Sequence, residues 1–182
     1  MLNPAFEASL PFIMRWEGGY VDHPDDPGGR TNKGVTQKTY DGWRTRQGLP
    51  TRHVRMIEDD EVETIYETGY WVPPRCDLLQ RQLDLVQFDT AVNMGVGRAG
   101  RFLQESLNML NRDGDLYPEI GEDGLIGSVT LGTLEQLLAT RDGDRHLHDL
   151  LNILQGMQYV SILRNNASQR KFIRGWLRRV SV

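Results

Sequence analysis

The run from Trp16 to Thr36, WEGGYVDHPDDPGGRTNKGVT, constrains the fold most, because its glycines and prolines interrupt a chain otherwise patterned for helices. Upstream, four residues spaced i, i+4, i+7 and i+11 share one helical face: Phe6, Leu10, Ile13 and Glu17. Pro11 predicts either a kink or a shorter helix capped by Ser9. Gly18 and Gly19 are expected to end this helix.

The interrupting run predicts a loop with a short β-hairpin, and helical patterns follow it. They fall at about 38–47, 58–70, 79–93, 98–110, 128–140, 145–165 and 168–180. The predicted fold is therefore mainly α, with the hairpin after the first helix. The last four helices are expected to form a separate small lobe, with its boundary near Gly95 to Gly100 and Ser128 as a helix cap.

Composition is that of a soluble globular protein, with 38% hydrophobic and 25% charged residues among 182. The single Cys76 cannot form an internal disulfide, which fits synthesis in a reducing cytosol. The first twenty residues lack a basic start and carry Glu7 in their apolar part, so no secretory signal is expected. No apolar run approaches the roughly 20 residues of a membrane span.

Charge is distributed unevenly along the chain. The net charge is −4, yet the last 20 residues carry +6, so residues 1–162 carry −10. The basic end is either a solvated helix face or an anchor for a polyanionic surface. A DNA-binding function is not indicated, because the rest of the chain is acidic and has no helix-turn-helix signature.

Glu17 is the first candidate for catalysis. Near the C-terminal end of a helix and on its apolar face, a carboxylate is disfavoured by partial desolvation and by the helix dipole. Both effects raise the pKa of the carboxyl group, and a protonated carboxylic acid is what protonates a glycosidic oxygen. The structural alternative is a glutamate near a helix end that reaches solvent.

Asp26 is the candidate for the second carboxylate that glycoside hydrolysis typically needs. It lies nine residues after Glu17, where a hairpin could fold back over the helix end; Asp22 and Asp25 are its competitors. The structural alternative is turn chemistry, since aspartate before proline or glycine is usual in loops. A calcium loop is disfavoured because the EF-hand ligand spacing and its terminal glutamate are missing.

Short motifs spread along the chain resemble glycoside hydrolase family 108, bacterial and phage muramidases distantly similar to phage-type lysozymes. They comprise Glu17 to Tyr20, Asp25 to Thr36, Ile65-Tyr66, Tyr70-Trp71, Phe88 to Gly95, Phe102 to Gln104, Asp123 to Gly127, Thr130 and Gly175 to Leu177. The later motifs resemble the predicted peptidoglycan-binding region that accompanies this family. The resemblance implies a lysozyme-like helical fold, with a catalytic lobe at 1–97 and a peptidoglycan-binding lobe at 98–182.

The same resemblance implies cleavage of the β-1,4 bond between N-acetylmuramic acid and N-acetylglucosamine, with Glu17 as the acid. Phage-type lysozymes pair their glutamate with an aspartate nine residues on, as at Asp26, and with a threonine six residues further. That position is Asn32 here, so Thr31 or Thr36 would serve through a different loop length. Retention or inversion of the anomeric configuration is left open.

Substrate contacts are the next set of candidates. Tyr20, Tyr70 and Trp71 could stack on sugar rings, although aromatic residues at helical spacing usually belong to the core. Asp89 and Asn93 share a helical face and could hydrogen-bond N-acetyl groups; Asn93 could equally cap its helix. The histidines are scattered without metal-ligand spacing, so neither a metal nor an organic cofactor is expected.

By resemblance the chain is expected to be a monomeric phage or prophage endolysin whose partner is bacterial peptidoglycan. It would be made in the host cytoplasm without a signal peptide, released by a holin, and active in the periplasm or cell wall. Two alternatives are kept: a lytic transglycosylase, in which the glutamate works alone, and a non-catalytic wall-binding or export-assisting protein.

Overall fold

The computed structural model describes residues 3–15, 19–22, 29–80 and 82–180. The chain divides into two compact units, Met1–Gly69 and Tyr70–Val182. The boundary between these compact units, at residues 69–70, precedes the boundary that the sequence predicted at residues 97–98. The compact units therefore do not test the predicted catalytic lobe (1–97) and peptidoglycan-binding lobe (98–182), which stay predictions. Within the described ranges, no helix combines the length and the apolar character needed to cross a membrane.

The first helix, α1 (Pro4–Met14), begins with an Asn-Pro pair. The side chain of Asn3 accepts hydrogen bonds from the backbone N–H groups of Ala5 (2.9 Å) and Phe6 (3.4 Å), and Pro4 fits the first turn, where no N–H is needed. The helix continues through Pro11, and Ser9 is buried in its middle. The proposed cap at Ser9 is therefore wrong, because the Asn3 cap starts the helix more than a turn earlier.

The predicted hairpin is confirmed. Strands β1 (Thr31–Asn32) and β2 (Val35–Thr36) pair antiparallel, with Thr31 opposite Thr36 and Asn32 opposite Val35. The described part of this unit also contains α2 (Gln37–Arg46), α3 (Asp59–Tyr66) and, between them, a 3-10 helix, Val54–Met56. Its core is apolar and aromatic, and includes Phe6, Ile13, Val35, Tyr40, Trp43, Val54, Val62, Ile65 and Tyr66. Phe6 and Ile13 are buried and Leu10 is half-buried, as the helical stripe predicted.

A π-helical segment, Glu67–Trp71, continues from α3. The second unit then contains five helices in its described part: α4 (Leu83–Met94), α5 (Val96–Met109), α6 (Ser128–Leu138), α7 (Gly143–Asn165) and α8 (Ile173–Leu177). A 3-10 segment, Ala167–Phe172, precedes α8. Gly95, with φ of +90°, ends α4 as predicted.

The core of the second unit is formed mainly by α4, α5, α6 and α7. Its buried members include Leu83, Val86, Leu103, Leu107, Tyr117, Leu134, Leu137, Leu147 and Leu151. One predicted cap is wrong in this unit: Ser128 is the first residue of α6, and the capping position is Gly127, which has no side chain to accept a hydrogen bond.

Candidate functional site

The two predicted catalytic carboxylates, Glu17 and Asp26, lie outside the described residues, as does the competitor Asp25. The structure does describe the segments next to them. These are the end of α1, residues 19–22, and the hairpin with its flanking residues from Gly29 onward.

A two-residue turn connects β1 and β2 and fixes the geometry of the hairpin. Lys33 and Gly34 both have positive φ, at 50° and 74°, which is the pattern of a type I′ turn. Upstream, Val21 pairs with Thr31 through two backbone hydrogen bonds of 2.8 and 2.9 Å. The segments on both sides of Asp26 are thus joined by a short sheet, which fixes where the intervening loop begins and ends.

The alternative threonines, Thr31 and Thr36, are direct cross-strand partners in this hairpin. The hydroxyl of Thr31 donates to the carbonyl of Gly29 at 3.1 Å. The hydroxyl of Thr36 accepts from the backbone N–H of Thr39 at 3.2 Å, so it caps α2, and it lies 3.0 Å from the Thr39 hydroxyl. The two threonines therefore lie opposite each other, but their hydroxyl groups make different hydrogen bonds. Thr36 caps α2, whereas Thr31 donates to a nearby backbone carbonyl.

Tyr20 lies among polar groups at the surface of this unit and is half-buried. Its hydroxyl donates to Asp22 at 3.1 Å, and the Arg30 guanidinium donates to the same carboxylate oxygen at 3.2 Å. Its ring is tilted against His53, with centroids 5.8 Å apart, and the Arg55 guanidinium lies 5.3 Å from the ring centroid. Desolvation, and then the bond to Asp22, raise the pKa of Tyr20 above its usual range.

A polar recess of about 250 Å³ opens beside the hairpin. It is lined by Arg30, Gln37, Asp41, Thr51, Arg52 and His53. Its lining carries two guanidinium groups, which donate hydrogen bonds, and one carboxylate, which accepts them.

The hairpin is anchored to the rest of its unit by side chains that contact backbone groups. Asn32 donates to the carbonyls of Val54 and Arg55, both at 3.3 Å. Gln37 donates to the Arg52 carbonyl at 2.8 Å and accepts from the Val54 N–H at 2.7 Å. Tyr66 donates to the Lys33 carbonyl at 3.2 Å. Several residues of the motifs noted in the sequence therefore position the hairpin.

Sequence reasoning missed a buried charge cluster around Glu61. Its carboxylate accepts from Tyr40 and from Arg44, both at 2.6 Å, from the backbone N–H of Glu58, and from Arg52. Burial raises the pKa of the Glu61 carboxyl, but the bonds from Tyr40, Glu58 and Arg52 outweigh it and hold the pKa below its usual range. The cluster joins α2, α3 and the segment between them. The sequence did contain a signal for this cluster: a glutamate in the first turn of a predicted helix, with several arginines shortly before it in the chain.

The remaining predicted substrate contacts lie in the second unit. Trp71 is 1% exposed, with its ring edge-on to Phe88 at 5.2 Å, and Tyr70 is half-buried. Asp89 is 0% exposed and accepts from Gln155 at 2.7 Å and from Arg179 at 3.0 Å. Trp71 is thus packed in the core and Asp89 is paired inside the unit, and a sugar contact by Tyr70 or Trp71 stays a prediction.

Asn93 is exposed, but its amide donates to the backbone carbonyl of Asp89 at 2.8 Å and to its carboxylate at 3.1 Å. Burial raises the pKa of Asp89, whereas the Arg179 charge and the hydrogen bonds lower it, and burial prevails. Asp89 and its partners therefore connect α4 to Gln155 of α7 and to Arg179. A substrate contact by Asp89 or Asn93 stays a prediction.

Comparison with protein families gives two matches that together span nearly the whole chain. Residues 10–95 match the family described as glycosyl hydrolase 108, and residues 98–181 match the predicted peptidoglycan domain. The first match includes Glu17, Asp26 and the hairpin. The chain is thus similar to a glycosyl hydrolase family over its first half and to a predicted peptidoglycan domain over its second half, which supports peptidoglycan as its substrate or partner.

The fold is similar to that of a solved structure, "Structure of Brucella abortus SagA". The two chains share 29% sequence identity, with a TM-score of 0.70, over 99% of this chain and 91% of the other. No curated protein matches the chain. The similarity extends over both of the segments of this chain that match family models.

Proposed function

We propose that the protein, whose chain joins a glycosyl hydrolase 108 domain to a predicted peptidoglycan domain, is an N-acetylmuramidase. It hydrolyses the β-1,4 bond between N-acetylmuramic acid and N-acetylglucosamine in bacterial peptidoglycan. The observation that carries the proposal is the match of residues 10–95 to a glycosyl hydrolase family, since that segment contains both candidate carboxylates. The adjoining peptidoglycan domain supports the choice of polymer.

In the proposed mechanism, Glu17 is the general acid that protonates the leaving glycosidic oxygen. Asp26 is the second, ionised carboxylate. It stabilises positive charge at the anomeric carbon, and it acts either directly on that carbon or on a water molecule. A threonine hydroxyl of the hairpin, from Thr31 or Thr36, orients the attacking water. The short sheet formed by Val21, β1 and β2 supports this assignment, because it fixes both ends of the loop that carries Asp26.

Product analysis separates this reaction from its alternatives. Purified peptidoglycan is digested, and the new chain ends are identified by mass spectrometry before and after borohydride reduction. A muramidase leaves reducing N-acetylmuramic acid ends. Ends in the form of 1,6-anhydro sugars would assign a lytic transglycosylase, reducing N-acetylglucosamine ends would assign a glucosaminidase, and no new ends at all would favour a non-catalytic wall-binding or export-assisting protein.

The biological setting that we propose is that of a phage or prophage endolysin, made in the cytoplasm, released by a holin, and active as a monomer in the periplasm or wall. The proposed muramidase activity is the support for this setting. Expression in a bacterial cytoplasm is then expected to leave cells intact until the inner membrane is permeabilised. Lysis without permeabilisation would contradict the need for release.

The basic chain end is proposed to contact an anionic cell surface. Arg164, Arg170, Lys171 and Arg174 are exposed, whereas Arg179 is buried and paired with Asp89. The exposed cations attract anions, and the attraction is screened by salt. Replacing Arg170, Lys171 and Arg174 by glutamine is expected to weaken binding to anionic lipid vesicles at low salt. Unchanged binding would show that these residues form only a solvated helix face and do not contact an anionic surface.

A further inference from the structure

A cleft of about 590 Å³ lies in the second unit, and most of its lining belongs to the segment matched to the predicted peptidoglycan domain, with Pro73 and Val96 outside that segment. Its volume is within the roughly 300–1,000 Å³ typical of small-molecule sites. The cleft is formed by the start of α5, the loop from Ile120 to Gly127, and the start of α6. None of the predicted site residues lines it, so it is a separate feature of the molecule.

The loop that forms this cleft is held in one conformation by Gln104, a buried residue of α5. The Gln104 amide donates to Asp123 at 2.9 Å, to the Leu125 carbonyl at 3.1 Å and to Thr130 at 3.3 Å. Its oxygen accepts from the Gly124 N–H at 2.7 Å. The Asp123 carboxylate also accepts from the Leu125 N–H at 2.8 Å. A cleft fixed in this way loses little entropy when a ligand binds.

Close backbone contacts fix the same loop against α5. A Cβ atom placed on Gly100 would lie 2.2 Å from the Gly124 carbonyl oxygen, and one on Gly124 would lie 2.4 Å from the Gly97 carbonyl oxygen. Gly124 also has φ of +82°. Glycine is therefore required at Gly100 and Gly124 for the loop to approach the helix this closely.

The lining of the cleft indicates the chemistry of its ligand. Most of it is apolar, and two apolar side chains are exposed at it: Leu125 (74%) and Val129 (67%). Among the described residues, Asp123 is the only charged one in the lining, and no described lysine, arginine or histidine lines it. The Asp123 carboxylate is ionised at neutral pH, and its pKa lies below its usual range, chiefly because the Gln104 amide donates a hydrogen bond to it.

Peptidoglycan offers two kinds of ligand, uncharged N-acetylated sugars and peptide stems that carry carboxylates. A lining with one carboxylate and no described cation disfavours the acidic stem, although the charge of Arg101, outside the lining, also acts on Asp123. An N-acetyl sugar fits better, because its acetamido methyl can contact the apolar wall while its N–H and hydroxyl groups donate to Asp123 and to polar groups at the start of α6. We propose that this cleft binds an uncharged N-acetylglucosamine-containing segment of the glycan strand, an inference that rests on the proposed function.

The role of such a site is to hold the enzyme on an insoluble polymer. Binding one segment of the strand through the second unit raises the effective concentration of neighbouring bonds at the catalytic unit. Loss of the cleft would therefore reduce cleavage of whole sacculi, and leave cleavage of short soluble glycans unchanged.

The binding test is an NMR titration of the full chain carrying Glu17→Gln, which prevents cleavage. The probes are tri-N-acetylglucosamine and an acidic stem peptide that carries no sugar. The sugar is expected to shift backbone amide signals of residues 120–130, and the peptide is expected to leave them unchanged. Shifts confined to residues 29–56, or preference of the cleft for the acidic peptide, would overturn the proposal.

Variants make the test specific. Leu125→Ser and Val129→Ser, at exposed positions, are expected to weaken sugar binding by about fivefold or more. The matched control is Ile153→Ser, an equally apolar residue 52% exposed on α7 and outside the cleft, and it is expected to change nothing. Equal weakening by all three would overturn the assignment, and thermal melts followed by circular dichroism confirm that each variant is folded.

The same variants separate this inference from the proposed function. If wild type cleaves sacculi and Leu125→Ser cleaves them as fast as wild type does, the cleft has no role in holding the polymer. If wild type releases no sugar ends from any substrate, the muramidase proposal fails, yet the NMR titration still reports whether the cleft binds N-acetylglucosamine.

Discussion

At the scale of the residue, the strongest feature described in the first unit is Glu61 held between two arginines. Its side chain is 11% exposed and that of Arg44 is 9% exposed, so both charges are largely removed from water. Such a pair contributes little net stability compared with an apolar pair, but removing one partner leaves the other charge buried and uncompensated. The cluster also fixes Arg52, whose carbonyl is bound by Gln37 at the start of α2.

Glu61→Gln is expected to lower the free energy of unfolding by about 3 kcal/mol, because Arg44 then lacks its counter-charge. The measurement is urea denaturation at neutral pH. The control is Glu119→Gln at an exposed position, which is expected to change stability by less than about 0.5 kcal/mol. Equal free energies of unfolding for the two variants would show that the Glu61 carboxylate does not stabilise the folded protein in this way.

The pH dependence of stability follows from the same carboxylate. Its folded pKa lies below the ordinary value of 4.5, so its contribution is present above that value and is lost as pH falls through the lowered folded pKa. Wild type is therefore expected to lose stability on acidification below about pH 5, and Glu61→Gln to show a shallower acid limb. Parallel acid limbs for the two proteins would contradict this assignment.

The two threonines of the hairpin are distinguished by what their hydroxyl groups do. Thr36→Val removes the cap of α2 and is expected to cost about 1 kcal/mol of stability. Thr31→Val leaves the cap intact and, if Thr31 orients the attacking water, lowers kcat by roughly 10- to 100-fold. Reducing-end assays paired with thermal melts test both, and the reverse pattern of activity would assign the water to Thr36.

At the scale of the element, two glycines of α5 offer a matched comparison. Gly100→Ala is expected to destabilise the fold by about 1–3 kcal/mol, since its Cβ would meet the Gly124 backbone. Gly97→Ala, with nothing within 4 Å of its Cβ, is expected to be neutral or stabilising by up to about 1 kcal/mol. Denaturant unfolding of both variants checks this; similar effects would contradict the close approach.

The sequence patterns predicted the presence of the helices and strands more accurately than they predicted the residues that cap the helices. Helical periodicity and the glycine-rich run gave the helices and the hairpin, because both signals are local. The Asn-Pro start of α1 was also a local signal, and it was overlooked in favour of Ser9. The misplaced cap at Ser128 differs by one residue, which is the usual uncertainty at helix ends.

At the scale of the whole molecule, the residues hardest to interpret from sequence were those with distant partners. Asp89 shares a helical face with Asn93, which suggested a ligand site, but its carboxylate pairs with Arg179, 90 residues away. Trp71 packs on Phe88, and no local pattern distinguishes such a ring from a sugar platform. The cleft was missed for the same reason, since it depends on Gln104 reaching a loop about 20 residues further along the chain.

The central claim is that Glu17 is the acid of a muramidase, and one comparison tests it most directly. Wild type, Glu17→Gln and Glu7→Gln, the last an exposed glutamate of α1, are incubated with purified peptidoglycan while reducing ends are counted. Circular dichroism confirms that all three are folded. Activity lost by at least about 100-fold in Glu17→Gln alone is the predicted result. Undiminished release of reducing ends by a folded Glu17→Gln variant would contradict the account.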